Sequence, residues 1–148
     1  MIGLKFKNQG MFFDSPKVIL AVDKATRRVF SRFGAFVRRS AKSSIRRRKR
    51  ISTPGQPPSS HTGLLKKFIW FGYEPSNKSV VIGPVMLNSK SGNAPEALEH
   101  GGMSIVLDGL RKNRKKRKIN IAARPFMGPA FEKEKLKLPA MWKDSVGQ

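Results

Sequence analysis

Between Asp23 and Glu74 the chain holds fourteen lysines and arginines and no acidic residue, and a second such stretch, from Asp108 to Glu132, holds eight more. An unpaired charge is too costly to bury, so these side chains must stay in solvent or meet an anion. Any fold has to be built around them. The densest runs are Arg46, Arg47, Arg48, Lys49 and Arg50, and then Arg111, Lys112, Arg114, Lys115, Lys116, Arg117 and Lys118. Like charges so crowded repel one another, which predicts mobile or extended loops at both places, the second run forming a hairpin arm or its disordered tip.

Outside these runs the sequence is ordinary, and 148 residues, 39% of them hydrophobic, are enough for one domain, 1–148, with a single core. The formal net charge of +22 calls for an anionic partner, nucleic acid or an acidic protein surface. There is no cysteine, which excludes disulfide frameworks, thiolate zinc sites and cysteine nucleophiles. The opening MIGLKFKNQGMFF lacks the apolar core of a signal peptide, and no apolar run approaches the roughly 18 residues of a membrane span. A soluble, cytosolic product is expected.

Ser15 before Pro16 is a helix start, the serine as N-cap and the proline at the first helical position. Val18, Val22, Ala25, Val29, Phe33 and Phe36 then recur at helical spacing, widened by Ile19, Phe30 and Val37. This predicts a long helix over 14–45. Its opposite face carries Lys17, Lys24, Arg27, Arg28, Arg38, Arg39 and Lys42. A basic, proline-rich arm over 46–62 separates the helix from a strand-rich region, 63–124. There, Leu64 to Tyr73 and Ser79 to Gly83 read as a hairpin, with further strands at Met103 to Leu107 and Ile119 to Ala123. Leu98, Glu99 and His100 fit one helical turn before Gly101 and Gly102. The segment 125–148 reads as a terminal helix starting near Pro129, kinked or divided by Pro139. The expected class is α+β: a long N-terminal and a shorter C-terminal helix on one antiparallel sheet of about four strands, with long basic and proline-rich loops.

No catalytic constellation emerges from these residues. His61 and His100 are isolated, and Glu96 with Glu99, or Glu132 with Glu134, lack an accompanying nucleophile or metal cluster. Gly101 and Gly102 stand in no phosphate-binding motif. The expectation is a protein that is not an enzyme and uses no cofactor or metal.

Several pieces, in order, carry a resemblance: "PGQPPSSHTGLLKKFIW", "SVVIGP", "ALEHGG" and "ARPFMGPAFEKEKLK" after a helix that ends in basic residues. Together they resemble the head-tail joining, or tail-completion, proteins of the neck of long-tailed double-stranded-DNA bacteriophages, over roughly Lys17 to Trp142. The resemblance implies a virion protein forming a ring, taken as hexameric, between the head connector or stopper protein and the tail tube or tail terminator protein. It would assemble in the host cytoplasm and surround double-stranded DNA without reading its sequence, with no membrane involved.

On that reading Arg111, Lys112, Arg114, Lys115, Lys116, Arg117 and Lys118 are DNA-channel candidates. Arg46, Arg47, Arg48, Lys49, Arg50, Pro54, Gln56, Pro57, Pro58 and His61 are candidates for a subunit or partner interface. Proline stiffens the loop from Ser52 to Thr62, which suits an arm projecting onto a neighbour at modest ordering cost. A ring one subunit tall spans roughly 40 Å for a radius of gyration of about 15 Å. Duplex DNA offers only about 24 phosphates over that length, far fewer than six copies of +22 would need. The charge must therefore also meet protein. The alternative is a nucleic-acid-binding module of ribosomal or nucleoid type, with Phe68, Trp70, Phe71 and Tyr73 beside Lys66 and Lys67 as a stacking platform.

Overall fold

Every fourth residue from Ala25 through Val29, Phe33, Val37 and Ala41 to Ile45 is buried, and this row is the spine of the molecule. Residues four apart lie one above another on a helix face, so the row forms one continuous ridge. The computed structural model describes residues 15–85, 94–108, 115–143 and 145–146. The ridge belongs to α1, Ser15–Ser44, and is continued by Ile45 just beyond its end. Val18, Ile19 and Val22, expected on the same face, are exposed. Phe36 also leaves the core: Arg32, Arg39 and Lys137 approach its ring at 5.7, 5.8 and 5.9 Å.

Around the ridge the chain runs β1 (Arg46–Arg47), β2 (Ser59–Ser60), α2 (Leu64–Lys67), β3 (Ile69–Glu74), β4 (Ser79–Pro84), α3 (Ala94–His100), β5 (Gly102–Asp108), β6 (Lys115–Ile121), α4 (Met127–Lys135) and α5 (Leu138–Trp142). The class is α+β. Phe33, Val37, Ala41 and Ile45 meet Leu65, Ile69, Phe126 and Ala130 in one cluster. Phe131 stands edge-on to Phe33 at 5.6 Å, and Trp142 edge-on to Phe30 at 5.8 Å, so α4 and α5 both dock on α1. The terminal helix is divided where proline requires it: the ring of Pro139 cannot coexist with a helical carbonyl at Lys135, and α4 ends there.

Among the described residues the single four-stranded sheet does not form; there are three two-stranded sheets, β1 with β2 in parallel, β3 with β4 and β5 with β6 both antiparallel. The β3–β4 hairpin lies on α1 so closely that a Cβ on Gly34 would stand 2.7 Å from the Phe71 ring and 2.8 Å from Val80. The β5–β6 ribbon is anchored through α3, and β6 carries Lys115 to Lys118 of the basic run. Placing β6 inside a sheet covered by α1 would desolvate those cations, which explains why the sheet stops at two strands. Two strand ends also move. β3 starts at Ile69 because residues 64–67 form a helical turn, with Lys67 N bonded to Gly63 O and Phe68 N to Leu64 O. β6 starts at Lys115 and takes in part of the basic run that charge repulsion alone would keep in a loop.

At the base of the ribbon Gly101 adopts a φ of +79°, and a Cβ there would stand 3.2 Å from the Ala123 backbone nitrogen. Only glycine meets both conditions without strain. The neighbouring Arg124 N–H donates to Leu98 O at 2.6 Å.

Candidate nucleic-acid interface

The β5–β6 register pairs Met103 with Asn120, Ser104 with Ile119, Ile105 with Lys118 and Val106 with Arg117. Side chains alternate faces along a strand, so Lys116 and Lys118 share one face with Met103 and Ile105, while Arg117 belongs to the other. Lys116, Arg117 and Lys118 are all exposed. Of the other channel candidates, Lys115 opens β6, and Arg111, Lys112 and Arg114 lie outside the described residues. A two-stranded ribbon with cations along one strand suits contact with phosphates, since lysine and arginine at phosphate distance fix position without reading bases.

The second basic surface is built differently from expectation. The arm at 46–62 folds back onto the body. Arg46 and Arg47 pair with Ser59 and Ser60, Arg48 Nε donates to Ser59 Oγ at 2.9 Å, and Gly55 N donates to Ala123 O at 2.8 Å. Arg124 holds the arm from the other side, its Nε donating to Ser52 O at 3.0 Å and its Nη1 to Ala122 O at 3.0 Å. Pro58 is buried, so it packs the arm inward and offers nothing to a partner. Pro57 is half-buried, and Arg46, Arg47, Arg48, Lys49, Arg50, Pro54, Gln56 and His61 remain exposed. An open groove of about 440 Å³ lies between arm and helix end, with Arg46 and Arg48 beside Ser43, Ser44, Thr53 and Gln56. The proline-rich stretch thus displays five basic residues from a fixed loop.

The aromatic platform does not assemble. Phe71 packs over Gly34, and Ile69 and Phe71 face α1, leaving Trp70 as the exposed ring of β3. Arg38 covers it, its guanidinium 5.1 Å from the ring centre while Nε donates to Ile69 O at 2.8 Å.

No family model, curated protein or solved structure matches the chain. Among the described residues no group of three or more His, Cys, Asp or Glu side chains is placed to hold a metal ion. No helix among them is long and apolar enough to cross a membrane.

Two acidic residues whose sequence context suggests only helix-surface charge organise the site. Glu99 crosses from α3 to cap α4: Oε2 accepts from Phe126 N at 2.9 Å and Met127 N at 3.0 Å, and Oε1 from Gly128 N at 2.7 Å. It satisfies amides that a helix start leaves without partners. Glu134 is buried and accepts from Lys137 Nζ at 2.7 Å, which holds its carboxyl below the ordinary range, helped by Ser40 and Lys133. The only trace of the Glu99 contact in the sequence is that both "ALEHGG" and "ARPFMGP" break a regular element at its end.

Proposed function

We propose that this chain is a structural, non-catalytic subunit of a bacteriophage neck, forming a ring that completes the tail and joins it to the head connector around the DNA channel. The observation that carries the reading is the β5–β6 ribbon, attached through α3 at one end and bearing exposed Lys116, Arg117 and Lys118. In a ring, one such ribbon from each subunit supplies cations to a duplex passing through. Contacts of this kind hold phosphates wherever they lie, which suits DNA that must slide. The second basic surface, Arg46 to Arg50 on the folded arm, serves an acidic neighbour in the neck, because the duplex cannot neutralise the whole charge of the ring.

Duplex affinity measured against salt tests the division of labour. Replacing the seven basic residues of 111–118 by glutamine should lower affinity for any sequence and flatten the salt dependence by up to about 0.9 slope units for each phosphate that is no longer neutralised. Replacing Arg46 to Arg50 should leave that slope alone and stop head-tail joining. An unchanged slope in the first variant would rule out the channel role.

A further inference from the structure

The β3–β4 hairpin has an unused edge beside an apolar groove. Val85 N donates to Phe68 O at 2.9 Å, and this bond sets the phase of the ladder. Trp70 with Gly83, Gly72 with Val81 and Glu74 with Ser79 are therefore the hydrogen-bonded pairs. The alternate residues of β4, Val80, Ile82 and Pro84, direct their peptide groups away from β3. Pro84, which has no N–H, is tolerated for that reason. Among the described residues no hydrogen bond engages the peptide groups of Val80 or Ile82. Beyond this edge lies a groove of about 370 Å³, with Val37 of α1, Val80 and Ile82 on one side and Met127, Phe131 and Glu132 of α4 on the other.

The β5–β6 ribbon presents the matching surface. Met103 and Ile105, two apart on one face of β5, are 67% and 45% exposed. A strand that adds to a sheet edge gains main-chain hydrogen bonds and seats alternate side chains in whatever lies beneath. The two outer edges of the ribbon differ: β6 is lined with lysine, which discourages pairing, whereas Gly102 to Leu107 of β5 carries no charge. Lys118, opposite Ile105, shares the apolar face, and Glu132 at the groove rim is an exposed acid, 3.7 Å from Lys135 Nζ one turn along α4, on a strongly basic chain.

We propose that β5 of one copy adds to the outer edge of β4 in a second copy, seating Met103 and Ile105 in the groove between β4 and α4 with Lys118 beside Glu132. The contact rests on the reading of the chain as a ring subunit, and it is head-to-tail: each copy gives a ribbon and receives one, which closes rings when the rotation permits. The four-stranded sheet that the chain cannot form alone is completed between copies. The contact takes Lys118 from the cations offered to the duplex and leaves Arg117, on the opposite face of the ribbon, outside it.

The chain has no cysteine, so introduced thiols report unambiguously. Met103→Cys mixed with Glu132→Cys should give a disulfide-linked dimer under mild oxidation, and Met103→Cys mixed with Ser76→Cys should not. The double variant Met103→Lys, Ile105→Lys alters positions exposed in the single subunit, so its far-UV circular dichroism spectrum should match the parent's, and only the part of the melting temperature that depends on protein concentration should be lost. Native mass spectrometry should find the parent in a closed oligomer and the double variant as monomer. A closed oligomer that persists in the double variant without the 103–132 link overturns this contact and leaves the ring reading standing. The 103–132 link in a chain that never exceeds a dimer supports the contact and overturns the ring. A parent that is monomeric and unlinked overturns both.

Discussion

Removing the Glu99 carboxylate should destabilise the protein by about 2 to 6 kcal/mol, more than any other single surface acid. Three amides depend on it, and they are not equivalent. Phe126 is buried and Met127 half-buried, so their N–H groups cannot find water when the carboxylate is gone, whereas Gly128 is exposed and can be rehydrated. Two stranded donors at about 1 to 3 kcal/mol each give the figure. Glu99→Gln keeps one acceptor oxygen, which in the place of Oε2 still serves both Phe126 and Met127, so it should cost well under half as much. Urea titration of Glu99→Ala measures the midpoint, with the slope expected to stay unchanged because the same surface is exposed on unfolding. Glu96→Gln is the control, since it removes the same charge from the first turn of α3 at an exposed position. A loss below about 0.5 kcal/mol for Glu99→Ala, or one equal to that of Glu96→Gln, would refute the capping argument.

Gly34→Ala sets about 1 kcal/mol of helix propensity against overpacking of about 1 to 3 kcal/mol on Phe71 and Val80, and calorimetry should show a net loss; a gain would mean that α1 and the hairpin can separate freely. Phe33→Ala and Phe126→Ala should each cost about 3 to 5 kcal/mol in chemical denaturation, since both rings are buried in the one core cluster; losses near zero would contradict it. Glu134 titrates lower in the folded than in the unfolded chain, so its contribution is complete above the unfolded value of about 4.5 and fades as pH falls through the folded one. Stability should accordingly drop as pH falls below about 4.5, and Glu134→Gln should flatten that limb; an unaltered profile would count against the Lys137 bond.

Local rules reach a good part of this fold. Helical spacing and the Ser15–Pro16 start place α1 nearly to its ends, Pro139 divides the terminal helix, and Phe33 with Phe126 meet in the core. What escapes them is non-local. Periodicity says that Val18 and Val22 share a face with Ala25, but not whether anything covers them. Strand propensity finds segments of β3 to β6 without saying which will pair, and a two-residue parallel bridge such as β1–β2 is too short for any alternation to show. In the site, the alternation of Lys116, Arg117 and Lys118 becomes readable only once the register is known. Proline suggests an extended, free arm; Arg124, some seventy residues away, is what holds it down.

The base of the β5–β6 ribbon is closed on itself by Arg124 N to Leu98 O, by Gly101 against Ala123 and by Glu99 across residues 126 to 128. Everything distal to that clasp is an insertion whose two ends are already fixed, so its length is nearly decoupled from the stability of the body. Removing cross-strand pairs two at a time preserves which side chains face which way, while removing one residue from a single strand inverts them. The stem can therefore be lengthened or shortened by evolution, or by design, as a gauge of how far the subunit reaches, while the core that carries it stays the same.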